Sequence, residues 1–232
     1  MDPESQCLMP AAFETRSFGF PFYRVLHFDE PRLRTELASV AGECPMGADC
    51  KVSAGDVAAT HGLMRLGFRK VCVQITLRHD LTEIPEPQCS EVRIAGRLDL
   101  DDETLWAHAR NFTQDRFSLD PLMPATGRRR LYHQWFRNSL GGAKQVAYIG
   151  ADVCTFSQQG GDVIVDLVSV LHQRRGNGSR LLTTVLAHAR QSGASSVRVK
   201  TECENPGAWS LYQRKRFVPV AYTSVFHLVS AP

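Results

Sequence analysis

The stretch that most limits what this chain can fold into is D-L-V-S-V-L-H-Q-R-R-G-N-G-S-R-L-L-T-T-V-L-A, from Asp166 to Ala187. It runs from an apolar segment through two glycines set among arginines into a second apolar segment. Val163 to Val170 is almost continuously apolar, interrupted by Asp166 and Ser169, which is the pattern of a strand covered on both faces. Leu181, Leu182, Val185, Leu186 and Ala189 then recur at helical spacing, with Gly193 as a stop. Ser195 to Cys203 alternates Val197, Val199, Thr201 and Cys203 against Arg198, Lys200 and Glu202, which predicts a second strand. Strand, helix and strand in that order form a right-handed parallel crossover.

The junction between strand and helix, Gln173-Arg174-Arg175-Gly176-Asn177-Gly178, has the character of an anion site. A P-loop requires a lysine after its last glycine, and none is present. A dinucleotide fingerprint requires a third glycine at the position of Leu181. What remains is a loop whose backbone N–H groups, Gly176 to Ser179, converge on an anion with the helix dipole behind them. A pyrophosphate fits such a site, and Arg174 and Arg175 favour it over a turn that only reverses the chain.

Elsewhere Leu105 to Phe112 and Tyr132 to Leu140 read as helices, and Gln145 to Phe156 as one strand entering a turn at Gln158 to Gly161. A turn at Asn205-Pro206, a short helix through Trp209 and Tyr212, and a strand from Phe217 to Val229 close the chain. The prolines around Leu81 to Ser90 predict a linker. A shift of 149 residues places Lys51 on Lys200, Ala59 on Ala208, Phe68 on Phe217 and Val71 on Val220 without a gap, which suggests an internal duplication. The copies are unequal: Asp56 stands opposite Asn205, Leu63 opposite Tyr212, and the first copy has no glycine loop.

The remaining composition excludes more than it selects. A net charge of +3 over 232 residues gives no argument for nucleic acid, although Arg128 to Arg130 and Arg214 to Arg216 form local basic clusters. No apolar run reaches the roughly 18 residues that span a bilayer, and the N-terminus lacks a leader pattern, so a cytoplasmic protein without a membrane partner is expected. The seven cysteines are scattered and never form C-x-x-C, which argues for small buried hydrophobes and against a disulfide framework or a metal site.

The run from Leu167 to Leu182 (L-V-S-V-L-H-Q-R-R-G-N-G-S-R-L-L), followed by Asn205 to Tyr212 (N-P-G-A-W-S-L-Y), resembles the acyl-CoA binding motifs of the GNAT superfamily of N-acyltransferases. Asn111 to Pro121, the Tyr132 to Ser139 stretch, Phe18-Gly-Phe and Leu66 to Val71 resemble nucleotide amino-sugar N-acetyltransferases, with TDP-fucosamine acetyltransferase as the type. The resemblance implies an α+β fold with a mixed central sheet flanked by helices. It also implies a degenerate GNAT-like half over residues 1–90 and a catalytic GNAT domain over 91–232. Where the pattern has a glycine before Phe217, this chain has Arg216, and a left-handed arginine there would cost about 1 to 2 kcal/mol.

From the resemblance also follow the parts of the site. Acetyl-CoA or a short acyl-CoA would lie along the strand edge at Val168, Ser169 and Val170. Its pyrophosphate would sit on Gln173, Arg174, Arg175, Gly176, Asn177, Gly178 and Ser179, with Asn205 beside the pantetheine arm. Tyr212 would protonate the departing thiolate. Arg116, Tyr132, Trp135 and Asn138 are candidate acceptor contacts, and Asp166 could orient the amine; Tyr132, Trp135 and Asp166 could equally be packed or hydrogen-bonded within the fold. The expected acceptor is the amine of a nucleotide-linked amino sugar. Another small amine (an aminoglycoside, an amino acid or a natural-product intermediate) is the alternative, as is a non-catalytic acyl-CoA-binding protein. No metal is expected, and a homodimer is compatible with the pattern.

Overall fold

In the computed structural model, residues 6–42, 45–83, 91–172 and 175–230 are described. The first half runs β1 (Leu8–Pro10), α1 (Ala12–Phe18), β2 (Phe22–Val25), α2 (Glu30–Val40), β3 (Gly47–Ser53), α3 (Val57–Arg65) and β4 (Arg69–His79). There follow β5 (Arg93–Ala95), α4 (Asp102–Asn111), α5 (Ala125–Asn138), a π turn at Ser139–Ala143, β6 (Gln145–Ile149), β7 (Asp152–Gln159) and β8 (Asp162–Ser169). The chain ends with α6 (Asn177–Gln191), β9 (Ser196–Glu202), α7 (Pro206–Arg214) and β10 (Val218–Val229).

The chain divides into two units that are not consecutive in sequence. The first unit comprises Met1–Gln74, Gln114–Leu131 and Tyr222–Pro232. Its strands β1 and β2 are antiparallel, β2 and β3 parallel, and the end of β10 lies antiparallel on β3 from Thr223 opposite Ser53 to Val229 opposite Gly47. Leu33, Leu63, Phe68, Cys50 and Phe226 fill its core. Asp49 is buried under the guanidinium groups of Arg116 and Arg24, which hold its carboxyl below the usual range against the opposing effect of burial.

The second unit comprises Ile75–Thr113 and Tyr132–Ala221. Its sheet follows the order β4, β9, β8, β7, β6, β5, with β8 and β9 parallel and β5 to β8 successively antiparallel. The apolar stripe of α6 (Leu181, Leu182, Val185, Leu186, Ala189) packs on Val163, Val165, Val197 and Val199, and Ile75, Leu77, Tyr212 and Phe217 complete the core. At ~25 cal/mol per Å² of apolar area, each such leucine contributes about 1.5 to 3 kcal/mol, so α6 is held by this stripe more than by its helical propensity.

Two local expectations need correction. Gln145 to Phe156 is not one strand: the chain turns at Gly150-Ala151, Gly150 supplying φ of 58°, and β6 and β7 form a hairpin. An isolated glycine inside a strand-like run reads equally as a bulge, so the sequence alone does not reveal the reversal. The helix expected at Tyr132 begins at Ala125, in a polar, arginine-rich turn with no apolar periodicity of its own. Residues 84–90 of the expected linker lie outside the described residues.

The 149-residue shift has a structural counterpart. It carries the bounds of β3 onto those of β9 and the bounds of α3 onto those of α7. Asp56 caps α3 by accepting from the Ala59 N–H at 2.9 Å, and Asn205 caps α7 by accepting from the Ala208 N–H at 3.0 Å. Both helices end in the same paired backbone bonds: Phe68 N–H to Leu63 O (3.0 Å) with Gly67 N–H to Met64 O (3.0 Å), and Phe217 N–H to Tyr212 O (3.1 Å) with Arg216 N–H to Gln213 O (2.9 Å). This motif needs a left-handed residue, and Gly67 (φ 87°) and Arg216 (φ 61°) supply it. Arg216 therefore adopts the conformation that its missing glycine would have made easy.

Candidate active site

The site begins where two parallel strands part. β8 and β9 pair from Asp162 opposite Ser196 to Val165 opposite Val199, and no further. Asp166 to Ser169 thus present a strand edge on that side without a β9 partner. On the other side, the register with β7 passes from Val165 opposite Phe156 to Leu167 opposite Thr155, so Asp166 is an extra residue in a β-bulge. The bulge aims the Asp166 carboxylate at α5 and the π turn, where Oδ2 accepts from Trp135 Nε1–H at 3.0 Å and from the Ser139 hydroxyl at 3.5 Å.

Past Ser169 the strand edge leads to the glycine loop, which is braced by residues the sequence reading did not select. Asp152, 2% exposed, accepts from the Leu171 N–H at 2.7 Å and from Asn177 Nδ2 at 2.6 Å, tying the entrance of the loop to its exit. His108 is fully buried between Ser169 Oγ (2.8 Å) and Ala151 O (2.9 Å). Burial lowers its pKa, so it is neutral; since a carbonyl only accepts, Nε2 carries the proton and Nδ1 accepts from the Ser169 hydroxyl. Asn111 Nδ2 donates to Val170 O at 3.3 Å. One face of α4 therefore anchors the end of the strand edge.

Of the two loop glycines, Gly176 has the left-handed backbone (φ 78°), while Gly178 sits in the first turn of α6. A Cβ on Gly178 would come within 3.3 Å of Leu211 and 3.6 Å of Val170, so this glycine keeps the helix close to the strand end and to α7. No side chain caps α6 among the described residues. The first-turn N–H groups at Asn177, Gly178 and Ser179 lack intrahelical acceptors by geometry, and Arg175 is exposed beside them. Gln173 and Arg174 lie outside the described residues.

Tyr212 is 4% exposed, edge-on to Phe217 at 5.6 Å, and burial drives its phenol pKa well above the ordinary value. Its hydroxyl has no hydrogen-bond partner among the described residues. The Asn205 side chain serves as the α7 cap. Val168 and Val170 are half-buried, whereas Ser169 is buried through its link to His108. Tyr132 is buried, stacked at 4.2 Å on Phe112 and at 5.6 Å on Trp135, so the pair forms an aromatic ledge that leads to Asp166. Asn138 is exposed and accepts from Gln134. Arg116 belongs to the first unit, where it pairs with Asp49 and Glu14 and lies over Phe117.

A parallel pair that splays beside a strand-to-helix glycine loop, in a mixed sheet flanked by helices, is the arrangement of the GNAT fold. Residues 106–217 match the model of the acetyltransferase (GNAT) family. Among solved structures, a GCN5-related N-acetyltransferase from Sphaerobacter thermophilus aligns over 97% of this chain and 76% of its own, with a TM-score of 0.63 and 16% identity. A GCN5-related N-acetyltransferase from Kribbella flavida aligns over 89% and 80%, with a TM-score of 0.52 and 17% identity. A tandem GNAT protein from the clavulanic acid biosynthesis pathway aligns over 92% and 77%, with a TM-score of 0.55 and 12% identity. The chain has the GNAT fold. No curated protein sequence matches it. No helix among the described residues is long and apolar enough to cross a membrane.

Proposed function

We propose that this protein transfers an acetyl or short acyl group from acyl-CoA to a primary amine by direct attack in a ternary complex. The observation that carries the proposal is the end of the β8–β9 ladder at Val165 and Val199, which leaves a strand edge for the amides of pantetheine, leading directly to the Gly176–Ser179 amides for its pyrophosphate. Val168, Ser169, Val170, Arg175 and Asn177 complete that binding track, with Asn205 at the start of α7. In the reaction the amine nitrogen forms a bond to the thioester carbonyl and the carbon–sulfur bond breaks. Tyr212, kept protonated by burial, gives its proton to the leaving thiolate, while the proton that the attacking nitrogen sheds on becoming an amide passes to solvent, from which the phenolate is reprotonated. Asp166 is held by Trp135 in a position to orient the amine, and half-buried Trp135, backed by the buried Tyr132 ring, meets its carrier.

In this reading residues 1–90 are a degenerate GNAT-like copy and 91–232 the catalytic one, with Leu63 standing where the second copy has Tyr212. The acceptor we favour is a nucleotide-linked amino sugar, on the likeness of Asn111–Pro121 and Tyr132–Ser139 to that group of enzymes. The deciding experiment is release of free thiol from acetyl-CoA across nucleotide amino sugars, free amino sugars, aminoglycosides and amino acids. Turnover with a nucleotide amino sugar far above the rest is the expected result; turnover only with another class rejects the sugar, and CoA binding without turnover on any amine rejects the enzyme.

A further inference from the structure

The face of the second unit's sheet opposite α6 holds a cavity of about 570 Å³ that none of the residues discussed so far explains. Side chains alternate along strands, and Ile75, Leu77, Val163, Val165 and Val197 point into the α6 core. Their neighbours Thr76, Arg78, Ile164, Arg198 and Lys200 therefore line the other face, with Val220 of β10 at its margin. Three cations meet there on adjacent strands, β4 and β9. Only Arg198 has a carboxylate, Asp162 at 2.8 Å; neither Arg78 nor Lys200 has an ion-pair partner among the described residues. Arg78 and Lys200 are exposed and on neighbouring strands, so with Asp162 taken by Arg198 they leave positive potential in the cavity for an anion to meet. The position is also specific: Ile164 and Lys200 adjoin the Val165–Val199 rung at which the strands part.

We infer that this cavity binds an oxyanion, phosphate or carboxylate, carried by the acceptor, so that the substrate is an anionic amine whose charge rests on Arg78 and Lys200 while its nitrogen reaches the parting of β8 and β9. The inference rests on the acyltransferase reading for the nitrogen's destination; the anion site itself does not depend on it. Arg198 is partly neutralised by Asp162, so Arg78 and Lys200 contribute most of the attraction.

The test is calorimetric titration of the full chain, with CoA present to occupy the glycine loop, using glucosamine 1-phosphate, muramic acid and uncharged-substituent glucosamine. The phosphate arm and the carboxylate arm distinguish the two anion sources. Loss of one charge-assisted contact should weaken binding of the anionic amine about ten- to a hundred-fold in Arg78→Gln and in Lys200→Gln. Arg190→Gln, an exposed change in the last turn of α6, should bind as the unmodified protein does. Equal affinity for glucosamine and both anionic amines, no binding of either anionic amine, or unchanged binding in both cavity variants overturns the inference. Failure of CoA itself to bind in the same experiment counts against the acyltransferase reading alone, because the response to Arg78 and Lys200 is read independently.

Discussion

Replacing Asp152 by alanine tests whether the glycine loop is a preformed anion cradle. The carboxylate is 2% exposed and accepts two short bonds, from the Leu171 N–H and from Asn177 Nδ2. Hydrogen bonds to a charged group contribute about 1.5 to 3 kcal/mol each, and removing a buried charge returns part of its desolvation cost. A net stability loss of about 2 to 4 kcal/mol follows. The larger consequence is local. With Leu171 and Asn177 released, the loop must be ordered by the ligand, and fixing even two residues costs about 2 to 4 kcal/mol, part of which the residual loop structure offsets. CoA affinity should therefore fall about ten- to a hundred-fold. Asp152→Asn, which keeps one acceptor oxygen for Leu171, should fall between. Calorimetric titration of CoA combined with amide hydrogen exchange at residues 171–178 reads both effects. If Asp152→Ala binds CoA like the unmodified protein while Leu171 keeps its protection, the brace is not what shapes the loop.

Tyr212→Phe keeps the buried ring and removes the hydroxyl that, in the proposed reaction, acts only as the thiolate leaves, so kcat should drop at least tens-fold, CoA affinity should stay within a few-fold and Tm should barely move; full turnover would make Tyr212 a packing residue. Leu63→Ala empties a fully buried position and should cost about 2 to 5 kcal/mol in chemical denaturation, while a second CoA bound per chain would contradict the degenerate role given to the first copy. His108 and His227 both have lowered pKa values through burial, so the unfolded chain binds more protons below about pH 6.5 and stability should fall as pH drops from there. Asp120, held down at about 2 beside His227 and Arg69, adds a further loss only below the ordinary carboxyl range. Thermal melts between pH 7.5 and 5 that show no decline would exclude burial of neutral histidines.

What the sequence showed most clearly was whatever repeats at short range. The β8 run, the stripe of α6 and the alternation of β9 each span fewer than about 16 residues, and their apolar periodicity needs no knowledge of partners. The braces of the site are long-range and polar, and for that reason were missed. His108 meets Ser169 across 61 residues of chain, and Asp152 meets Leu171 across 19. His108 did leave a signal, since it falls on the same helical face as Leu105 and Phe112, where a polar residue needs a buried partner. Asp152 left none: an aspartate after Gly150-Ala151 looks like any turn residue. The elements of the first 46 residues escaped for a related reason, because β1 and β2 have only 3 and 4 residues, too short to establish a period.

The strands that follow the matching helices α3 and α7 are exchanged between the two units. In the first unit β3 is paired by the end of β10, the strand that follows α7 in the second copy. In the second unit β9 is neighboured by Ile75–His79 of β4, the strand that follows α3 in the first copy. Each of the two matching strand–helix–strand segments thus sends the later part of its next strand into the unit built around the other. A chain starting at residue 91 would take Ile75 and Leu77 out of the core that holds Tyr212, and leave β9 with an open edge on the side away from β8.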